Sequence, residues 1–383
     1  MENQNTKQII YNDCNTLINL IHSLSENPIV GVQITPFISL FCTEALNYCA
    51  KYNIKIALPQ NNSFSVDDIR LKLKLFENKY SKARKMIENC DYLQDYIFRH
   101  QLRFNFTKSW NIHYNLGVIF DENNNIVGNS QYGYYVFQDS RLLKKKIEEV
   151  ERLTDTKGVK FEYSPAEIRS YGVFCGQILR EIANTFREHR LIDHKIKSSS
   201  FRVPLLYKDY NTNKHFSSIY KSNADKPLFL YILHILSFVN FSTKLLGRFE
   251  KADYGWWLRH YYITYHYVLK RLEDIKNYLD NNHSGLVDIA HLIERTLPIN
   301  GNKFSNTTFR NCMMHYDLND SAGDFLIATE YQNPNTPLFG LVESCFNGTH
   351  YTQLKSEILS ELSRISEELS RWLKIPQNNK TRF

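Results

Sequence analysis

The sequence predicts a mainly α protein: a C-terminal up-and-down helical bundle, preceded by a mostly helical domain that carries a small β-hairpin. Three observations predict it. Apolar residues recur at helical spacing through most of the chain. One stretch, GVIFDENNNIVG at 117–128, sets two apolar runs around a turn-rich centre, the pattern of a hairpin. The last long segment, LKSEILSELSRISEELSRWL at 354–373, places Leu354, Ile358, Leu359, Leu362, Ile365, Leu369 and Leu373 on one stripe with Glu and Arg opposite.

Taken in order, Ile9, Ile10, Leu17, Ile18 and Ile21 give a first helix over about 7–24. Pro36 suits the first turn of a second, which reaches about Tyr52. Ser65, followed by Asp67 and Asp68, reads as an N-cap with acids near the positive end of the helix dipole. It opens a long charged helix running through the 70s to the 90s. After the hairpin, GYYVF at 133–137 reads as a further short strand, so the β region spans 117–137. Helices follow at about 140–154 and 165–190.

Residues 192–226 have few periodic apolar positions and are rich in Ser, Asn, Lys and Tyr. The main domain boundary is placed here, near 222. It separates an N-terminal domain, 1–222, from a bundle, 223–378. The bundle opens with PLFLYILHILSFVNF, 227–241. That run is shorter than the ~20 residues needed to span a bilayer and is interrupted by His234 and Asn240, so it reads as a buried helix. Further helices are expected at 254–281, 284–297, 306–316 and 354–373. The tail PQNNKTRF, 376–383, is polar and expected to fray.

The chain has 383 residues and a net charge of +7. Residues 225–383 hold 17 basic and 17 acidic side chains, so the whole excess lies in residues 1–224. Its sign suits a nucleic-acid partner. The seven cysteines are odd in number and form no CxxC pair. They read as reduced thiols, not as a disulfide frame or a zinc site. MENQNTKQII lacks the basic start and apolar core of a secretory signal. A cytoplasmic protein with no membrane partner, metal or cofactor is therefore expected.

Chemistry gathers in FRNCMMHYDL, 309–318. Ser305, Asn306, Thr307 and Thr308 precede it, so a capped helix start falls just before Arg310. Free backbone N–H groups and the helix dipole favour an anion there. Arg310 can clamp a phosphate in bidentate fashion and stays charged. His315 titrates near neutrality and can move a proton. Asn311 can orient either of them. Asn311 and His315 are four apart and share a helical face. Arg310 and His315 are five apart, about 140° around a helix of ~3.6 residues per turn, so a shared phosphate requires a bend or a swung guanidinium.

The stretch RNCMMH, 310–315, resembles the HEPN superfamily. Its hallmark is an arginine, usually a polar residue next, and a histidine after four to six positions. The segment 339–373 is similar to that family's C-terminal helices. The resemblance covers about 225–375. It implies a helical bundle that dimerises and brings two Arg–His motifs to one cleft. It implies metal-independent RNA cleavage in toxin–antitoxin, abortive-infection or other phage-defence systems, with an antitoxin or other regulatory partner. Carried over by position, Arg310 is the phosphate ligand, Asn311 the polar helper and His315 the proton-transfer residue. The superfamily also contains modules that bind RNA or nucleotides without cleaving them, which gives the alternative reading.

Other residues enter as weaker candidates. Arg259 and His266 have the same type of spacing and could form a second motif. Their helix is Tyr- and Trp-rich, and its aromatics read as core, a dimer surface or a docking face. Arg187–His194 and Lys144 to Lys146 read as exposed charge. In the 190–226 stretch, Arg190, Lys195, Lys197, Arg202 and Lys208 lie near Tyr207 and Tyr210. Basic charge beside stacking aromatics could hold single-stranded RNA.

Overall fold

The fold was analysed in a computed structural model. It describes residues 4–25, 31–59, 64–88, 90–91, 116–137, 165–189, 204–210, 225–250, 255–282, 286–298, 302–316, 318–319, 325–375 and 381–382. The protein is mainly α with one small antiparallel sheet. The helix expected at 140–154 and most of the 190–226 segment lie outside the described residues.

The N-terminal half begins with α1 (Gln4–Leu24), α2 (Thr35–Lys51) and α3 (Val66–Glu77). α1 buries Ile9, Ile10, Leu17 and Leu20 together with one acid, Asp13. Ser65 does cap α3. Its hydroxyl lies 3.3 Å from the Asp68 N–H, and the Asp68 carboxylate accepts from the Ser65 N–H at 2.9 Å, a reciprocal capping box. The expected long charged helix is broken, however. α3 stops at Glu77, and helix resumes at 80–88. At the break the Asn78 carbonyl accepts a hydrogen bond from Arg271, far along the chain, which compensates for the interrupted helical ladder.

β1 (Leu116–Phe120) and β2 (Ile126–Asn129) form the expected hairpin. Asp121 shapes its turn. One carboxylate oxygen accepts the N–H groups of Asn123 and Asn125 at 3.0 and 2.8 Å, and the other accepts the Asn125 amide. The expected strand at 133–137 is instead helix, α4 (Ser130–Phe137). Asn129 causes the switch. Its side-chain oxygen accepts the Tyr132 N–H at 2.9 Å, an N-cap that ends the strand and starts the helix. Tyr132 and Val136, four apart, then share the buried face.

α5 (Pro165–Thr185) packs along α1. β3 (Leu206–Tyr210) falls inside the segment read as an irregular boundary, and pairs antiparallel with β1, Leu116 opposite Tyr210. Short, polar LYKDY gives no clear alternation, and its pairing partner is remote in sequence. The sheet order is β2-β1-β3, extended by a two-residue strand, Thr381–Arg382, within the tail expected to fray.

The C-terminal half contains α6 (Lys226–Asn240), α7 (Trp256–Asn282), α8 (Val287–Thr296), α9 (Thr307–Met314), α10 (Leu341–Cys345) and α11 (Tyr351–Leu373). α6, α7 and α8 all pack on α11, whose apolar stripe is buried as the sequence predicts. α6 continues through a π turn and a 3-10 turn to Phe249. The stretch 226–249 is long and apolar enough to cross a membrane, but 89% of its most apolar window is buried inside the fold.

The boundary expected near 222 lies outside the described residues. On either side of it the chain shares one hydrophobic cluster, running from Ile9 to Ile375. Polar contacts cross the same divide. Asn129 donates to His234 and to the Ser237 hydroxyl, both at 3.1 Å, and Arg84 pairs with Asp225 at 2.7 Å. The bundle is therefore packed into the N-terminal half. The aromatic face of α7 (Trp256, Trp257, Tyr261, Tyr262 and Tyr265) is core, not a docking surface.

Candidate active site

α9 carries the RNCMMH motif. Asn306 is its N-cap: the side-chain oxygen accepts the Phe309 N–H at 2.8 Å, and the amide donates to the Cys345 carbonyl at 2.8 Å. Phe309, Cys312 and Met313 point inward at helical spacing. Phe309 sets its ring between Tyr262 at 4.9 Å and Phe346 at 5.0 Å, both edge-on. That buried face turns Arg310 and Asn311 to solvent. Arg310 has no carboxylate partner among the described residues. Its Nη2 donates to Asn311 Oδ1 at 3.2 Å.

The helix ends one residue earlier than His315 needs for a shared face with Asn311. His315 leaves in extended conformation, φ −124° and ψ 156°, although its N–H still closes on the Asn311 carbonyl at 2.8 Å. This is the bend that the five-residue spacing of Arg310 and His315 requires. The imidazole is 57% exposed and turns to α2, where Nδ1 meets Glu44 Oε2 at 2.7 Å. With Glu44 accepting at Nδ1, Nε2 is the nitrogen left for chemistry. The hydrogen bond to Glu44 raises the His315 pKa, against partial burial and the charges of Arg259 and Arg310.

Arg259 and His266 do not form a second motif. Arg259 is 1% exposed and fully engaged. It pairs with Asp13 of α1, donates twice to the Met313 carbonyl, and lies over the rings of Phe41 and Tyr316, 4.9 and 4.3 Å away. The Tyr316 hydroxyl donates to the same Asp13 carboxylate at 2.9 Å. A guanidinium used in this way is out of reach of a phosphate. It instead satisfies a terminal carbonyl of α9, next to where His315 departs. His266, by contrast, lies within the influence of the Arg310 charge. It is half-buried on α7, its ring parallel to Tyr262 at 6.2 Å. Burial first, then the charges of Arg310 and Lys270, hold its pKa below the ordinary histidine value.

Of the proposed RNA-binding set, Arg190, Lys195, Lys197 and Arg202 lie outside the described residues. Tyr207, Lys208 and Tyr210 belong to β3. Tyr210 is buried, and the Tyr207 ring lies across Gly117 of β1, leaving no space for a side chain there. These two aromatics pack the sheet and are not an open stacking platform. Lys208 sits over the Tyr210 ring at 5.1 Å.

Glu44 and Asp13 were not foreseen. A signal for both existed. Asp13 is the one acid of α1 and falls in register with its apolar stripe; Glu44 is the one acid of α2. A lone charge in an otherwise uncharged or apolar helix face calls for a partner. No protein-family model matches the chain, and neither a curated protein nor a solved structure matches it.

Proposed function

We propose that this chain is a metal-independent endoribonuclease, acting through Arg310, Asn311 and His315. One observation carries the reading: an exposed imidazole, held by a carboxylate at Nδ1, leaves a helix whose first turns present an arginine with no acidic partner among the described residues. A phosphodiester supplies the anion that Arg310 lacks. Asn311 holds the guanidinium. Glu44 fixes the ring so that Nε2 faces the substrate, and favours the protonated form that can serve as a general acid. Attack by the ribose 2′-hydroxyl on the adjacent phosphorus then releases a 5′-hydroxyl and leaves a 2′,3′-cyclic phosphate.

The HEPN-like pattern extends the reading to a homodimer through the C-terminal bundle and to a toxin or phage-defence role, controlled by a regulatory partner. The test is purified protein with single-stranded RNA in EDTA, with the fragment ends identified. Cleavage to cyclic-phosphate ends is expected, with His315→Ala and Arg310→Ala each reducing it by roughly 10²- to 10⁴-fold. Full activity in both variants would end this reading. RNA binding without cleavage by the wild type would favour the non-catalytic alternative.

A further inference from the structure

α7 and α9 pack antiparallel, and the pairing can be followed residue by residue. Arg259 meets the Met313 carbonyl, the Tyr262 ring meets Phe309, and the Tyr265 ring meets Phe304 at 5.3 Å. The Tyr262 hydroxyl also donates to the Phe304 carbonyl at 3.1 Å. His266 stands one turn beyond Tyr262 and stacks parallel to it. It therefore comes level with the start of α9, near enough to Arg310 for the guanidinium charge to act on its ring. Among the described residues, neither ring nitrogen of His266 has a hydrogen-bond partner, whereas His315 is tethered to Glu44.

We propose that His266 is a second catalytic residue of this site: it takes the proton of the attacking 2′-hydroxyl while His315 protonates the departing 5′-oxygen. The assignment rests on the ribonuclease reading and completes it within one protomer. The 2′-oxygen bonds to phosphorus as its proton passes to a His266 nitrogen. The phosphorus–O5′ bond breaks, and His315 delivers its Nε2 proton to O5′. Arg310, whose charge acts on both imidazoles, holds the non-bridging oxygens.

The surroundings suit this division of labour. Partial burial first, then the charges of Arg310 and Lys270, lower the His266 pKa and so favour the neutral ring that can accept a proton. The hydrogen bond to Glu44 raises the His315 pKa and so favours its protonated form, outweighing burial and the charges of Arg259 and Arg310. Two titratable groups driven apart by their environments are the usual arrangement of a base and an acid.

The experiment is cleavage of a defined RNA by the full chain in EDTA, as kcat/KM against pH. The wild type should give a bell, with an acid limb from His266 and an alkaline limb from His315. His266→Ala and the shape-preserving His266→Asn should lower the plateau by roughly 10²- to 10⁴-fold and remove the acid limb. Near-wild-type rates in His266→Asn, with His315→Ala inactive, would overturn the assignment and leave the ribonuclease reading standing. A reduced rate that keeps the acid limb would also overturn it, since a merely structural residue gives that result. Recovery of activity on mixing His266→Asn with His315→Ala protein would overturn the single-protomer arrangement. An inactive wild type would overturn both readings.

Discussion

Arg259 donates from Nε and Nη2 to one main-chain oxygen, that of Met313, at 3.2 and 3.1 Å. Met313 is the next-to-last residue of α9, so its carbonyl has no partner within the helix. The guanidinium supplies one, and its charge is balanced by Asp13 from the opposite end of the chain. A residue first read as a candidate phosphate ligand thus fixes the point at which the chain leaves the helix and His315 turns out.

Asp13→Asn should therefore be severely destabilising, because it leaves a buried guanidinium without its counter-charge. Breaking one partner of a buried pair costs about 3–5 kcal/mol. Urea denaturation of Asp13→Asn, Arg259→Met and the double variant measures it. The double variant should lose clearly less than the two single losses added together. Strict additivity would mean that the two side chains act independently.

Glu44→Gln should lower the His315 pKa toward the ordinary value of about 6.5, because the main cause of its elevation is removed. The linkage sign follows. The wild-type pair adds stability below the unfolded histidine value, and that stability is lost as pH rises through the raised folded value. NMR titration of the His315 ring reads the shift directly. In a cleavage assay the alkaline limb should move to lower pH. A His315 titration unchanged in Glu44→Gln would show that the carboxylate does not control the ring.

Asn306 serves α9 twice, as N-cap and as donor to the Cys345 carbonyl. Asn306→Ala should cost about 1 kcal/mol for the cap alone, within a range of roughly 0.5–2. Asn306→Asp separates the roles: it retains an accepting oxygen for the Phe309 N–H and loses the donated bond. Denaturant midpoints should rank wild type above Asn306→Asp, and Asn306→Asp above Asn306→Ala. Equal losses in both variants would place the whole effect in the bond to Cys345.

Elements with strong local signals were legible in the sequence. The apolar stripe of α11, the proline-started α2 and the Asp-centred hairpin turn each carry their own instruction within a few residues. Features decided by distant partners were not. GYYVF satisfies a strand pattern, but the Asn129 cap settles it as helix. β3 exists because β1 offers it a partner, and the break at Asn78 is stabilised by Arg271. At the site, Arg310, Asn311 and His315 could be picked out by residue type and spacing. Glu44, which sets the orientation of His315, could not, since 271 positions separate them.

Two further histidines give the fold an acid sensitivity unrelated to the site. His234 and His260 are fully buried, and burial pushes both pKa values down to about 3. The His234 Nδ1 accepts from the Asn129 amide, so protonation would set donor against donor. His260 lies flat on Trp256 at 4.9 Å, and neither of its nitrogens has a polar partner among the described residues. Unfolded, each takes up a proton near pH 6.5. Stability should thus be full above about pH 6.5 and fall as pH drops toward 3, by up to about 1.4 kcal/mol per pH unit for each ring. His260→Phe preserves the stacked ring and removes one proton. Between pH 5 and 6.5, where ordinary carboxylates with pKa values of about 4 stay mostly ionised, its stability should fall less steeply than that of the wild type. Urea midpoints across that window measure the two slopes, and matching slopes would show that His260 does not charge on unfolding.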